Sequence, residues 1–593
     1  MICLSTLLIT ILVIFILKKI FEVFSAKSRT SKLFARLKIF QANRLQRIQN
    51  TNHFKSSLPP EQKKQIIKSD VVTLLKMLNE GMVSSYELVL VFYERAITIG
   101  CGLNALAEVN IESALEQAKK CDEIRSNLIK NDPHKLASLP PLFGIPMSIK
   151  GNVIIKGLST NLGCANFMDN LPKENGFIMD LLISKAGIIP FITSSVPQCL
   201  MVNETTNRIY GRCKNPWNEE RTSGGSSGGE ASLIASGCSP IGFGSDIGGS
   251  IRIPCLYTGL YGIKVTTSRL TLEGDFSGNK TNKRGQINVK ACNGPIGKTV
   301  DDLALVLKSV LVKEMFDYDA EVVPLLWNED EYKSIKKLRI GYIDNDKFFA
   351  VSKGNRRAVA LAVKGLEAKG HELVKLEFPN FEEATIEYLA LMSSAGKFRP
   401  YREMMADEPP IPEYDQMIKI MKIPNFLRGI ISFILNLIGE NRAAKILPRT
   451  NQKSAWEFFQ ESEKQQVIKK DFFDWWKNNK LDALVSPGLP TPAIKHGESA
   501  DGFLSCCYTF FFNLIDFPTG TVPVCTVQKE EEIYEDNVNK DKYTRVMRES
   551  MKGSEGMPLG VQITALPYQE ELCLNLMKQI EDGVGFHELP IKF

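Results

Sequence analysis

The chain has 593 residues, enough for one large catalytic body or several smaller ones. With 44% hydrophobic and 24% charged residues it is neither a disordered nor a fibrous chain. A net charge of +6 over this length gives no reason to expect nucleic acid, and none of the five histidines pairs with a nearby cysteine or second histidine, so no metal is expected.

The N-terminus reads as an address. From Ile2 to Leu17 the run ICLSTLLITILVIFIL carries no charge and is near the lower length limit for spanning a bilayer. No positive charge precedes it, as a signal peptide requires. Lys18, Lys19, Lys27, Arg29, Lys32, Arg36 and Lys38 follow it, which by the positive-inside tendency puts the body on the cytoplasmic side. The expectation is a single-pass transmembrane anchor at 1–20, a basic juxtamembrane segment at 21–63 and a catalytic domain at 64–593. An interfacial helix is the alternative. Thirteen cysteines without metal-type spacing read as free, mainly buried thiols in a reducing compartment.

Helical spacing becomes regular at Val71, Leu74, Leu75 and Leu78. Ser84-Ser85-Tyr86-Glu87 then resembles a cap opening a second helix. From 140 onward, short apolar runs alternate with helical stretches and Gly/Pro turns, as at Ile145–Ile149, Ile188–Ile192, Ile340–Ile343 and Leu481–Val485. That alternation predicts an α/β body around a central sheet. Residues 529–556 are charged and turn-rich, which predicts a surface excursion.

Ser223 to Cys255 is the most informative segment: SGGSSGGEASLIASGCSPIGFGSDIGGSIRIPC. Its first glycines can adopt backbone angles closed to residues with a Cβ. Glu230 to Gly237 reads as a short helix of small residues. Asp246-Ile247-Gly248-Gly249-Ser250 offers successive unencumbered N–H groups ending in a serine, which suits an oxyanion hole beside a nucleophile. A flexible linker is the bland alternative, but apolar stretches interrupt the run. A phosphate loop lacks its motif here, with neither G-x-x-x-x-G-K-[ST] nor G-x-G-x-x-G present. Gly225-Ser226-Ser227-Gly228-Gly229 matches the G-x-S-x-G elbow, a cheap match among so many glycines, and no histidine is marked as its partner.

With these residues in hand, the chain resembles the amidase signature family, and within it the fatty acid amide hydrolase branch. GGSSGGE, GSDIGGSIR and PLFGIPMSIKGN around Lys150 carry the resemblance, which continues through LDALVSPGLPTP, DFPTGTVPV and GVQITALPYQEEL. It implies an α/β/α fold with a central mixed, twisted sheet, and a serine–serine–lysine triad without a cofactor. The base falls on Lys150, the bridging serine on Ser226 and the nucleophile on Ser250, with Ser227 in a supporting role. Oxyanion donors would be the N–H groups of Ile247, Gly248, Gly249 and Ser250. A lysine is a base only when neutral, and the apolar strand-like run before Lys150 is a suitable setting. The same resemblance points to Leu200, Met201, Phe433 and Tyr568 as substrate-binding residues, although the branch has tryptophan where Tyr568 stands.

Residues 417–449 bear on the substrate. Between Asn425 and Gly439 the polar residues Asn425, Arg428, Ser432 and Asn436 form one helical stripe, apolar residues cover the rest, and basic residues flank the stretch. This fits a helix in a membrane interface or a core helix equally. The resemblance tips it toward an apolar membrane-binding cap. Expected partners are therefore a lipid amide substrate and a membrane, of the endoplasmic reticulum or another endomembrane, with a homodimer left open. The expected reaction is hydrolysis of N-acylethanolamines or primary fatty acid amides. Its rivals are a small-amide hydrolase or amidotransferase subunit, and a non-enzymatic membrane scaffold.

Overall fold

The computed structural model describes residues 2–278, 285–396 and 398–593, except for the side chains of residues 2–7, 9, 11, 13 and 23. One helix, Ile2–Asn50, runs through both the apolar run and the basic segment. Its second half is part of the body. Leu33 and Leu37 pack with Ala107, Met168 and Ile209. The Arg44 guanidinium donates to the carbonyls of Leu106 and Ala107 at 2.7 and 2.5 Å, and Arg47 pairs with Glu108 at 2.7 Å. The expected transmembrane span is not supported: among the described residues no helix is long and apolar enough to cross a membrane. Much of the Ile2–Leu17 run lies outside the described side chains.

Thirteen strands follow in chain order: β1 Leu106–Val109, β2 Pro146–Lys150, β3 Ile189–Ser194, β4 Thr206–Asn207, β5 Gly211–Arg212, β6 Gly242–Asp246, β7 Tyr261–Lys264, β8 Cys292–Gly297, β9 Arg339–Tyr342, β10 Glu372–Lys375, β11 Ala483–Pro487, β12 Thr519–Thr526 and β13 Pro558–Thr564. Strands β4 and β5 pair alone, and the other eleven form one mixed sheet in the order β1-β3-β2-β6-β8-β7-β12-β13-β11-β9-β10. The apolar runs singled out in the sequence fall on β2, β3, β9 and β11. Ser84 caps the helix Ser85–Arg95 as its sequence suggests, accepting from Glu87 N–H at 3.0 Å.

The register shows helices on both faces of the sheet. Gly520 in β12 pairs with Ile563 in β13, and a Cβ on Gly520 would collide with Met577 of the helix Glu570–Val584. Gly560, an odd number of residues along β13 from Ile563, points the other way. A Cβ there would meet Leu256 of the helix Arg252–Thr258. The Gly/Ser segment belongs to this second face.

Packing adds detail to two segments. The 529–556 stretch is tied to the body: Asp541 forms a buried pair with Arg442, and Tyr534 Oη donates to the Ala350 carbonyl at 2.6 Å. Most of its charged side chains are exposed, and Glu531, Asp536 and Asp541 are buried. The helix Asn425–Leu437 is no core helix: Arg428 and Ser432 of its polar stripe turn inward, while Asn425 and Asn436 are exposed. Arg428 is 3% exposed and donates to the carbonyls of Ile420, Ile423, Leu447 and Thr450, and Ser432 donates to the Ala444 carbonyl. Phe426, at 78% exposure, and Phe433, at 65%, point outward with Ile430, Ile434 and Leu437.

Candidate active site

Lys150 ends β2, beside β6 in parallel register, and its side chain is 0% exposed. The amine donates to Ser226 Oγ at 2.9 Å and to the carbonyl and hydroxyl of Ser245, each at 3.0 Å. Ser226 sits in the glycine loop that opens the helix Gly228–Ala235, after a cis peptide bond with Gly225. The sequence reading missed Ser245. Its signal was its place in β6 inside the same Gly/Ser segment, one residue before the Asp246 that begins the expected oxyanion loop.

Ser226 and Ser250 open onto one cavity of about 400 Å³, whose walls include Leu200, Met201 and Ile247. Among the described residues, however, Ser226 makes no hydrogen bond to Ser250, so the expected chain from Lys150 is formed only as far as Ser226. The loops are joined by backbone instead, Ser227 N–H donating to the Ser250 carbonyl at 3.0 Å. The Ser227 hydroxyl, expected to support the triad, is buried with no partner. Phe433 and Tyr568 do not line this cavity. Phe433 faces outward from its helix, and Tyr568 lies beside β7, its N–H bonded to Thr266 Oγ1 at 2.8 Å. No histidine lines the cavity.

The nucleophile loop is held from below by Asp246. Its carboxylate accepts from Gly249 N–H at 2.8 Å, Ile251 N–H at 3.1 Å, Asn513 at 2.9 Å and Arg252 at 3.1 Å. Burial works to raise this carboxyl, but the Arg252 guanidinium and the hydrogen bonds outweigh it and hold it well below the usual carboxylate range. Gly249, at φ 112°, occupies backbone space that favours glycine, and a Cβ there would meet Thr509 Oγ1 at 2.4 Å. Its N–H is committed to Asp246. Of the four expected oxyanion donors, Ile247, Gly248 and Ser250 keep N–H groups without an acceptor among the described residues. Beneath Lys150, Glu230 accepts from the Ser148 hydroxyl, and burial pushes its carboxyl up to about 7.

A buried amine on a serine, a second serine and N–H groups without an acceptor among the described residues surround one cavity, the groups that acyl transfer to a serine with lysine as base would require. The amidase family model matches residues 87–574. The chain belongs to the amidase signature family and is a hydrolase of that fold. It is 33% identical to fatty-acid amide hydrolase 1 of Sus scrofa over 74% of this chain and 75% of that one. An acetamidase of Emericella nidulans is 28% identical over 90% of this chain and 92% of its own. A solved structure titled fatty acid amide hydrolase superposes with a TM-score of 0.74 at 26% identity, covering 89% of this chain and 87% of that one.

Proposed function

We propose that the protein hydrolyses long-chain lipid amides, N-acylethanolamines or primary fatty acid amides, to a free fatty acid and an amine. The observation that carries this reading is a second, apolar chamber beside the catalytic cavity. The two share Met201, Met392 and Tyr401 in their walls. Its far wall is the helix Pro412–Met421, through Met417 and Ile420 opposite Phe398, and that helix leads into the outward-facing apolar helix. A small amide has no use for such an annex.

In this mechanism neutral Lys150 takes a proton from Ser226 as Ser226 takes one from Ser250, and Ser250 Oγ attacks the amide carbonyl. The N–H groups of Ile247, Gly248 and Ser250 are the candidates to receive the oxyanion. Amides leave badly unless their nitrogen is protonated, so the relay runs backward to the leaving amine as the intermediate collapses. Water then cleaves the acyl-enzyme. The outward apolar face of Asn425–Leu437, with the apolar N-terminal run, supports attachment to a membrane, with the body on the cytoplasmic side.

The similarity to an acetamidase favours a second reading, hydrolysis of small amides. Purified protein offered oleamide, an N-acylethanolamine and acetamide separates the two. Higher kcat/KM for acetamide would overturn the lipid reading. Absence of turnover on all three, with intact fluorophosphonate labelling of Ser250, would direct attention to other amides.

A further inference from the structure

The oxyanion loop is gripped from its far side by residues distant in sequence. Tyr388, on the helix Phe381–Ser393, donates from Oη to the Ile247 carbonyl at 3.2 Å. In a trans peptide a carbonyl and the next N–H point in opposite directions, so a hand on the Ile247 carbonyl sets where the Gly248 N–H aims. Gly248 makes the grip possible, since a Cβ there would sit 2.4 Å from Tyr388 Oη. The following peptide is fixed at both ends. Thr509 Oγ1 donates to the Gly248 carbonyl at 2.8 Å, and Gly249 N–H donates to Asp246 at 2.8 Å. Among the described residues, the Tyr388 hydroxyl alone holds the carbonyl that sets the aim of the Gly248 N–H.

That tyrosine has a second face. Its ring stacks on Phe510 with centroids 4.4 Å apart and planes 8° from parallel, and it lines the apolar chamber next to Met201 and Met392. Ile247, at the other end of the hydrogen bond, lines the cavity of Ser250. Tyr388 therefore touches the chamber with its ring and the oxyanion loop with its hydroxyl. We propose that Tyr388 is a positioning residue that couples acyl-chain occupancy to the oxyanion hole. A chain filling the chamber confines the ring against Phe510, which keeps the hydroxyl on the Ile247 carbonyl and the Gly248 N–H aimed. Without a chain, the Phe510 stack alone holds the ring. Binding energy gained far from the scissile bond would then appear in kcat.

This rests on the lipid-amide reading, and the test separates the two. Steady-state constants are measured for primary amides from two to eighteen carbons with the wild-type protein and Tyr388→Phe. The wild type is expected to gain kcat, not only KM, as chains lengthen. Tyr388→Phe should lose roughly 10-fold or more in kcat on the longest amides, less than the 10²–10³ typical of deleting an oxyanion donor outright. It should lose little on the shortest, flattening the series. Affinity for a long-chain trifluoromethyl ketone, which mimics the tetrahedral adduct, should fall by the same factor as kcat/KM. Phe510→Leu, which removes the stack and leaves the hydroxyl, should flatten the series in the same direction. Equal losses at every chain length, or a change in KM alone, would overturn the coupling while leaving the lipid reading intact. Failure of the wild type to turn over long amides would overturn both.

Discussion

The Gly/Ser segment and the helix Asn425–Leu437 both bury polar side chains, yet for opposite ends. In the first, Ser226 and Ser245 are buried on the amine of Lys150 from β2, and Asp246 is buried on Arg252, beside a cavity. In the second, Arg428 is buried among backbone carbonyls so that aromatic and aliphatic side chains can face outward. Hydrogen-bond supply, and not side-chain polarity, decides which residue goes inside in each case. In one region that rule builds a reactive centre, and in the other it builds a surface.

The comparison breaks most sharply at the nucleophile. Ser250→Ala should abolish both turnover and fluorophosphonate labelling while thermal unfolding stays unchanged, because it removes the proposed attacking oxygen, which faces the cavity. Residual labelling at Ser226 or Ser227 would move the nucleophile. Next comes the base: Lys150→Ala should cost on the order of 10²–10⁴-fold in kcat, with the deficit easing as pH rises and hydroxide assists Ser250. A pH-independent deficit would assign the lysine a structural role.

Smaller effects test the buried supports. Asp246→Asn leaves the Arg252 guanidinium without its counter-charge and should destabilise the protein by about 3–5 kcal/mol. The carboxyl binds protons less readily in the folded state than in the unfolded one, so its contribution is complete above about pH 4 and fades as pH falls. Melting curves of wild type and variant should therefore converge in acid. A gap that is constant with pH would rule out the charge as its source. Arg428→Leu should cost about 1–3 kcal/mol for each carbonyl left buried and unpaired, read by chemical unfolding. The outward face completes the series. Ile430→Ser with Phe433→Ser should change stability by no more than about 0.5 kcal/mol per site, yet reduce sedimentation with phospholipid vesicles. Undiminished sedimentation would place the membrane contact elsewhere.

The sequence made the short-range part of this legible. GGSSGGE and GSDIGGS place Ser226 and Ser250 within one contiguous segment, and the Lys150 strand is an apolar run that reads as β2 from its own residues. The supports from distant parts of the chain were not legible. Thr509 and Asn513 reach the loop from a helix some 260 positions later in the chain, a relation set by topology and by no local spacing. Gly249 looked like an oxyanion donor because its N–H is unencumbered, and only the fold shows Asp246 taking it. Phe433 is placed with the substrate by the resemblance, but a helix with its pattern can turn either face inward. The buried guanidinium at Arg428 settles which. Tyr568 is assigned from the resemblance, but the fold ties its N–H to Thr266 and leaves it out of the cavity wall.

Arg428 also makes its helix a one-way device. Rolling Asn425–Leu437 to hide its apolar side would pull the guanidinium off carbonyls contributed by both neighbouring segments, before Pro424 and after Ile446. A face locked in this manner has no retracted state for water and no extended state for an oily phase. Encounter with such a phase needs no conformational trigger and no waiting time beyond diffusion. The converse holds in dilute buffer, where the same face has only other copies of itself to meet. Detergent concentration, and not temperature or ligand, should then set whether the protein runs as single molecules or clusters.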